Sequence, residues 1–163
     1  ATVSCLENTA GAGTTLGRSF EELGGLRQMI LDGTGCKPER IGFCIDTCHA
    51  HAAGYDIATR AGAVSMVSAL DAACGLRHVR VVHMNDSKAP AGSNRERHAH
   101  IGEGTIGGGT TPKKLGASGF ATVLADPVLG SVPKIMETPK EDAEDGTPMD
   151  TVNLGRLRKM VPV

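Results

Sequence analysis

The sequence predicts an α/β fold of parallel βα units, equivalent to half of a (β/α)8 barrel. Three observations predict it. Four short apolar runs, Thr2–Leu6, Arg40–Ile45, Val79–Met84 and Val132–Met136, have the length and composition of strands buried on both faces. Helical patterns lie between them, and alternation of strand and helix implies parallel pairing. An eight-unit barrel takes about 250 residues, so four units in 163 residues amount to half of one. A small open α/β sheet is the alternative arrangement of the same elements.

Taken in order, the elements have local causes. The chain opens on ATVSCLE, already a strand sequence and without an initiator Met, which reads as the interior of a longer protein. Ser19 and Glu22 form a capping box opening a helix over Phe20–Asp32. Arg40–Ile45 is the second strand. Ala61–Cys74 carries apolar residues at helical spacing and stops at Gly75. Val79–Met84 follows as the third strand. Phe120–Ala125 is a shorter helix, and TTPKKLGASG before it reads as a surface loop. After the fourth strand, Met149–Met160 is a helix that follows Thr147-Pro148 and ends before Pro162. The glycine-rich stretches GAGTTLG and GEGTIGGG are loops, and neither has the Lys-Ser/Thr ending of a phosphate-binding loop.

Composition narrows the function. The formal net charge is −1, so binding of a polyanion must come from a local patch or from metal ions. Aromatic residues are 2% of the chain, which argues against a base-stacking platform. Five cysteines, an odd number without regular spacing, argue against a disulfide framework and for a reducing, intracellular compartment. There is no signal peptide and no apolar stretch of membrane-span length, so no membrane partner is expected.

The strand ends carry the chemistry. Each apolar run ends at a side chain able to bind metal: Glu7, Asp46, His83 and Glu137, with His83 just inside its strand and the others just past theirs. In parallel βα folds these ends face the active site. A single Asp or His there is commonly a helix cap, but four in register predict one shared metal site. In the loop HMNDSKAPAGSNRERHAHIGEG, Glu96 and His98 are two residues apart and point the same way if extended. His49, three residues beyond Asp46, can reach the same or a neighbouring ion. Imidazoles with carboxylates suit Zn²⁺, with Mn²⁺ or Fe²⁺ as alternatives. Carboxylates that bridge ions also allow a multi-metal phosphoryl site. Cys44 and Cys48 lack a second pair at zinc-knuckle spacing and read as wall residues. His78 precedes its strand and reads as structural. His51 and His100 read as surface or supporting residues, and Arg95-Glu96-Arg97 also fits a solvated charge cluster.

The blocks CLENTAGAG, CIDTCHAHAAGYD, VHMNDSKAPAGSNRERHAHIGEGTIG and IMETP resemble, in order, the motif blocks of the endonuclease IV family, over nearly the whole chain. These are metal-dependent apurinic/apyrimidinic endonucleases of base-excision repair. The resemblance implies a TIM-barrel type (β/α)8 fold, with residues 1–163 as the last four βα units, the C-terminal half of a xylose-isomerase-like barrel. It implies three zinc ions. Glu7 is then the carboxylate bridging two of them, Asp46, His83 and Glu137 complete the ligands of the second zinc, and His49, Glu96 and His98 form those of the third. Glu7 and Glu137 are the expected catalytic carboxylates, and Lys88 a contact to the DNA backbone. The substrate implied is double-stranded DNA with abasic sites, hydrolysed 5′ to the lesion to leave a 3′-hydroxyl. The compartment implied is the cytoplasm or nucleoid of a bacterium.

Two departures stand out. Glu96 occupies a position where the family usually has Asp. The family's N-terminal half, with two histidines of the first zinc and the loops that wedge into DNA, has no counterpart here. The expected partner is therefore that missing half-barrel or a self-association partner. The runner-up function is a metal-dependent sugar isomerase or epimerase of the same barrel superfamily. Such enzymes use one ion and have no need of His49, Glu96 and His98. A non-catalytic binding remnant is a third reading.

Overall fold

The computed structural model describes residues 2–161. Along the chain run β1 (Ser4–Glu7), α1 (Phe20–Thr34), β2 (Ile41–Asp46), α2 (Thr47–Ala53), α3 (Arg60–Cys74) and β3 (Val79–His83). They are followed by β4 (Asp86–Ser87), β5 (His98–Ala99), α4 (Pro112–Ala117), α5 (Gly119–Ala125), β6 (Lys134–Ile135) and α6 (Met149–Arg158). One sheet has the order β1-β2-β3-β6, parallel throughout. β4 and β5 form a separate antiparallel pair in the loop after β3.

Helices cover one face of the sheet. Phe43 and Ile45 of β2 and Val79 and Val82 of β3 pack with Phe20 and Leu23 of α1, Met66 and Leu70 of α3, and Phe120 and Val123 of α5. Cys44 and Asp46 alternate with Phe43 and Ile45, which directs them to the opposite face. That face is where Arg80 lies over Gly42: a Cβ on Gly42 would meet Arg80 Cγ at 2.5 Å and the His78 carbonyl at 3.0 Å. Among the described residues, the outer edges of β1 and β6 pair with no strand.

The local signals act as the sequence implies, with shifts. Ser19 accepts the Glu22 N–H, while Glu22 Oε2 reaches past the usual capping-box position to the Gly17 and Arg18 N–H groups. α1 closes on Gly35, whose φ of 63° is left-handed. β1 and β6 are shorter than the apolar runs predict, and Pro133 beside β6 has no N–H to give a ladder. Glu7 and Asp46 are the last residues of their strands rather than the first beyond them. The stretch TTPKKLGASG is a correction: it holds α4, with Thr111 as cap and Pro112 at the first helical position. α2 is likewise absent from the sequence reading. α6 stops at Arg158, and Pro162 lies outside the described residues.

Candidate metal centre

The parallel register brings the strand ends to one rim. Ligand atoms of Glu7, Asp46, His83 and Glu137 lie within 4.8 Å of one another. His83 Nδ1 is central, 3.2 Å from Glu7 Oε1, 3.1 Å from Glu137 Oε2 and 3.8 Å from Asp46 Oδ2. A second group, His49, Glu96 and His98, is equally close, with His49 Nε2 3.2 Å from Glu96 Oε1. The groups adjoin: His49 Nδ1 is 3.4 Å from Glu7 Oε1, and His98 Nε2 is 3.7 Å from Asp46 Oδ2. All seven predicted ligands therefore share one site. Exposed Lys88, whose backbone N–H donates to the carbonyl of Arg97 just before His98, lines a groove of about 520 Å³ with Arg95 and Arg97.

The charges are poorly balanced by the protein alone. Burial raises the Glu7 carboxyl above its ordinary range; His83 and His49 oppose this, while Asp46 and Glu137 add to it. Burial resists charge on His49, yet Asp46, the Asn8 carbonyl, Glu96 and Glu7 together outweigh it and raise its pKa.

The imidazoles test whether a cation fits. His49 Nδ1 lies 2.9 Å from the Asn8 carbonyl and His98 Nδ1 3.1 Å from the Glu137 carbonyl. A carbonyl only accepts, so each Nδ1 is a donor, and Nε2 is the nitrogen that each ring turns to the site. Those two Nε2 atoms, and Nδ1 of His83, are buried, and the carboxylate oxygens near them at 3.1–3.7 Å do not meet hydrogen-bond geometry. A buried polar atom without a partner is costly. A backbone carbonyl that fixes the tautomer of an imidazole is also the usual support of a metal-binding histidine. The donor set thus fits a divalent cation.

The sulfurs lie within reach: Cys44 groups with Glu7 and His83, and Cys48 with Asp46 and His98. Burial pushes the Cys48 thiol up to about 11 and raises that of Cys44 as well, so both stay protonated as neutral wall residues. Of the two readings of His51 and His100, surface or supporting, their burial leaves the supporting one. His51 Nε2 meets Thr105 Oγ1 at 3.2 Å, and His100 sits between Glu141 and Asn153. Both tie site loops to the body. His78 stands in a single 3-10 turn before β3, at the far strand end, as expected.

Four supporting residues escape the sequence reading. Asn8 pairs with the Asp46 main chain in both directions, donating to its carbonyl at 3.2 Å and accepting its N–H at 2.8 Å. Thr47 Oγ1 donates to the Asn85 carbonyl at 2.7 Å. Asn85 itself touches Asp46 and Glu137. Asp86 Oδ1 accepts N–H groups from Ser87 and Ile106, and its Oδ2 from Gly102, Gly104 and Gly107. The loop after His98 is wrapped round that carboxylate so closely that a Cβ on Gly104 would lie 2.5 Å from Asp86 Oδ1. The signal available was the block Asn85-Asp86-Ser87 together with the glycines of GEGTIGGG.

Residues 2–127 match the family described as xylose isomerase-like TIM barrel. The chain is 45% identical over 155 residues to a protein named probable endonuclease 4 from Trichlorobacter lovleyi, covering 95% of this chain and 49% of that protein. It is 41% identical over 155 residues to another of that name from Methanosphaerula palustris, covering 95% and 48%. Among solved structures, endonuclease IV from Thermus thermophilus superposes with a TM-score of 0.74 at 39% identity, covering 97% of this chain and 49% of that one. The chain spans about half the length of the curated relatives it matches.

Proposed function

The chain belongs to the xylose isomerase-like TIM barrel family, and from that premise we propose that it is the metal-binding half of a DNA-repair endonuclease of the endonuclease IV type. The substrate is double-stranded DNA with an abasic site, hydrolysed at the phosphodiester 5′ to the lesion to leave a 3′-hydroxyl. Residues 1–163 form the C-terminal half of the barrel. The other half comes from the rest of a longer chain or from a self-association partner.

One observation carries the reading: the His49–Glu96–His98 group abuts the Glu7–Asp46–His83–Glu137 group. One ion of a sugar isomerase needs only the latter. Two contiguous groups suit a multi-ion phosphodiester site. Glu7, Asp46, His83 and Glu137 would hold one ion and His49, Glu96 and His98 a second, and a third would need ligands from the other half-barrel. Zn²⁺ suits these ligands, with Mn²⁺ or Fe²⁺ as alternatives. When bound, such ions supply Lewis acidity at a phosphoryl oxygen and lower the pKa of water at the site.

The chain's own groups do the rest. The Glu7 and Glu137 side chains are 36% and 46% exposed, whereas Asp46 is fully buried. Glu7 and Glu137 are thus the carboxylates of the first group that face the open side of the site, where the substrate would approach, and we assign them as its catalytic carboxylates. Lys88, flanked by Arg95 and Arg97, offers cations to the DNA backbone beside the site. This patch supplies locally what the net charge does not.

The test is incubation of the completed barrel, this chain together with its missing half, with a duplex carrying one abasic analogue, with and without chelator. The expected result is a single nick with a 3′-hydroxyl, abolished by chelator and restored by Zn²⁺. Sugar isomerisation, or metal uptake with no nick by the completed barrel, overturns the reading.

A further inference from the structure

We propose that Asn85 is a positioning residue of this centre: its carboxamide sets the orientation of the Asp46 and Glu137 carboxylates, and with it the affinity and geometry of the ion they hold. The inference rests on the metal-centre reading above.

Asn85 is fully buried and lies two residues beyond His83, where β3 leaves the sheet. Its Oδ1 accepts the Glu137 backbone N–H at 2.7 Å. An amide nitrogen cannot accept that bond, so the orientation of the carboxamide is fixed and Nδ2 faces the carboxylates. Nδ2 donates to Asp46 Oδ2 at 2.6 Å and lies 3.5 Å from Glu137 Oε2. The first is a short, charge-assisted bond. One side chain thereby ties together the ends of β2 and β3 and the segment after β6.

Asn85 is itself held rigidly. Its N–H donates to Thr47 Oγ1 at 2.9 Å, and the same hydroxyl donates to its carbonyl at 2.7 Å. Asp46 needs the support. Its Oδ1 is committed to the His49 N–H, which leaves Oδ2 as the oxygen aimed at His83 and His98. Among the described residues, the Asn85 amide is the one hydrogen-bond donor to that oxygen. Only Asn meets both demands here. Asp lacks the donor and would set another anion against Asp46, and Gln adds a methylene that displaces the Glu137 bond.

The test is a Co²⁺ titration of the 163-residue chain, read by d–d absorption, with Zn²⁺ affinity from chelator competition. Wild type is compared with Asn85→Ala and the near-isosteric Asn85→Asp, and folding is checked by circular dichroism. Supporting residues of metal ligands typically contribute 10–100-fold in affinity. Both variants are therefore expected to bind about tenfold more weakly or worse, with altered d–d bands. If Asn85→Ala does not fold, Asn85→Asp decides. Wild-type affinity and spectrum in the folded variants, with only a lower unfolding temperature, would make Asn85 merely structural and overturn the inference. A wild-type chain that takes up no Co²⁺ overturns the metal-centre reading and this inference together.

Discussion

Asp46 caps a helix and serves the site with the same carboxylate: Oδ1 accepts the His49 backbone N–H at 2.9 Å, while Oδ2 faces the imidazoles of His83 and His98. Cap and ligand, usually competing explanations for an acid after a strand, are two oxygens of one group. The roles can be separated by substitution. Asn is as good a cap as Asp but carries no charge. Asp46→Asn is expected to keep the cap and lose the ion of the first group, at a cost of about 1–3 kcal/mol because its amide nitrogen then faces the Asn85 Nδ2 donor. Asp46→Ala is expected to lose the ion and a further ~1 kcal/mol of stability from the cap. Metal analysis and thermal unfolding of the two variants check this.

The parts of the site legible in the sequence are those whose chemistry is local. Glu7, Asp46 and His83 stand at the ends of apolar runs, and parallel pairing carries them to one rim whatever the exact strand bounds. Asn8 and Asn85 were illegible because their partners are distant: Asn85 meets the Glu137 N–H 52 residues away, and an isolated Asn reads as a turn residue. α2 was hidden because Thr47–Ala53 has no apolar periodicity and is buried on all sides. α4 was not hidden in the same sense, since Thr111-Pro112 is an ordinary start signal overshadowed by its glycine-rich surroundings.

The loop after His98 is built round Asp86. The carboxylate is fully buried and accepts five backbone N–H groups. Removing it leaves buried donors unpaired, each costing about 1–3 kcal/mol where water cannot reach. Asp86→Ala is expected to destabilise the chain by at least ~3 kcal/mol. Gly104→Ala, which drives a Cβ against the same carboxylate, is expected to cost ~1–3 kcal/mol. Urea unfolding measures both, and limited proteolysis should show cleavage appearing between residues 100 and 110.

Alkaline stability depends on a thiol far from the site. Cys74, at the end of α3, is buried and donates to the Phe20 carbonyl at 3.3 Å. Burial, reinforced by Glu21, pushes this thiol from its ordinary value of 9.0 up to about 12. The sign follows by linkage. The unfolded chain releases the proton from about pH 9 upward and the folded chain holds it, so stability falls as pH rises through that window, by ~1.4 kcal/mol per unit at most. Below pH 9 the thiol is protonated in both states and contributes no slope. Cys74→Ala is expected to be less stable than wild type at pH 7, because it leaves a cavity, and to close roughly 2 kcal/mol of that gap by pH 10.5. Urea unfolding at the two pH values reads the difference directly.

The open sheet sets how the isolated chain behaves. β1 and β6 present unpaired edges among the described residues, and Ile135 and Val3 are 48% and 37% exposed near those edges. Unpaired edges and exposed apolar side chains drive association. In a closed barrel the same edges pair with other strands and the inner face packs against them. The 163-residue chain alone is therefore expected to dimerise or aggregate. It is also expected to hold fewer ions than the whole site, because among the described residues Glu7 has no imidazole beside it other than those of His49 and His83. Sedimentation with metal analysis checks both expectations. A stable monomer holding three tightly bound Zn²⁺ would show that these four strands need no partner, and the half-barrel reading would fail.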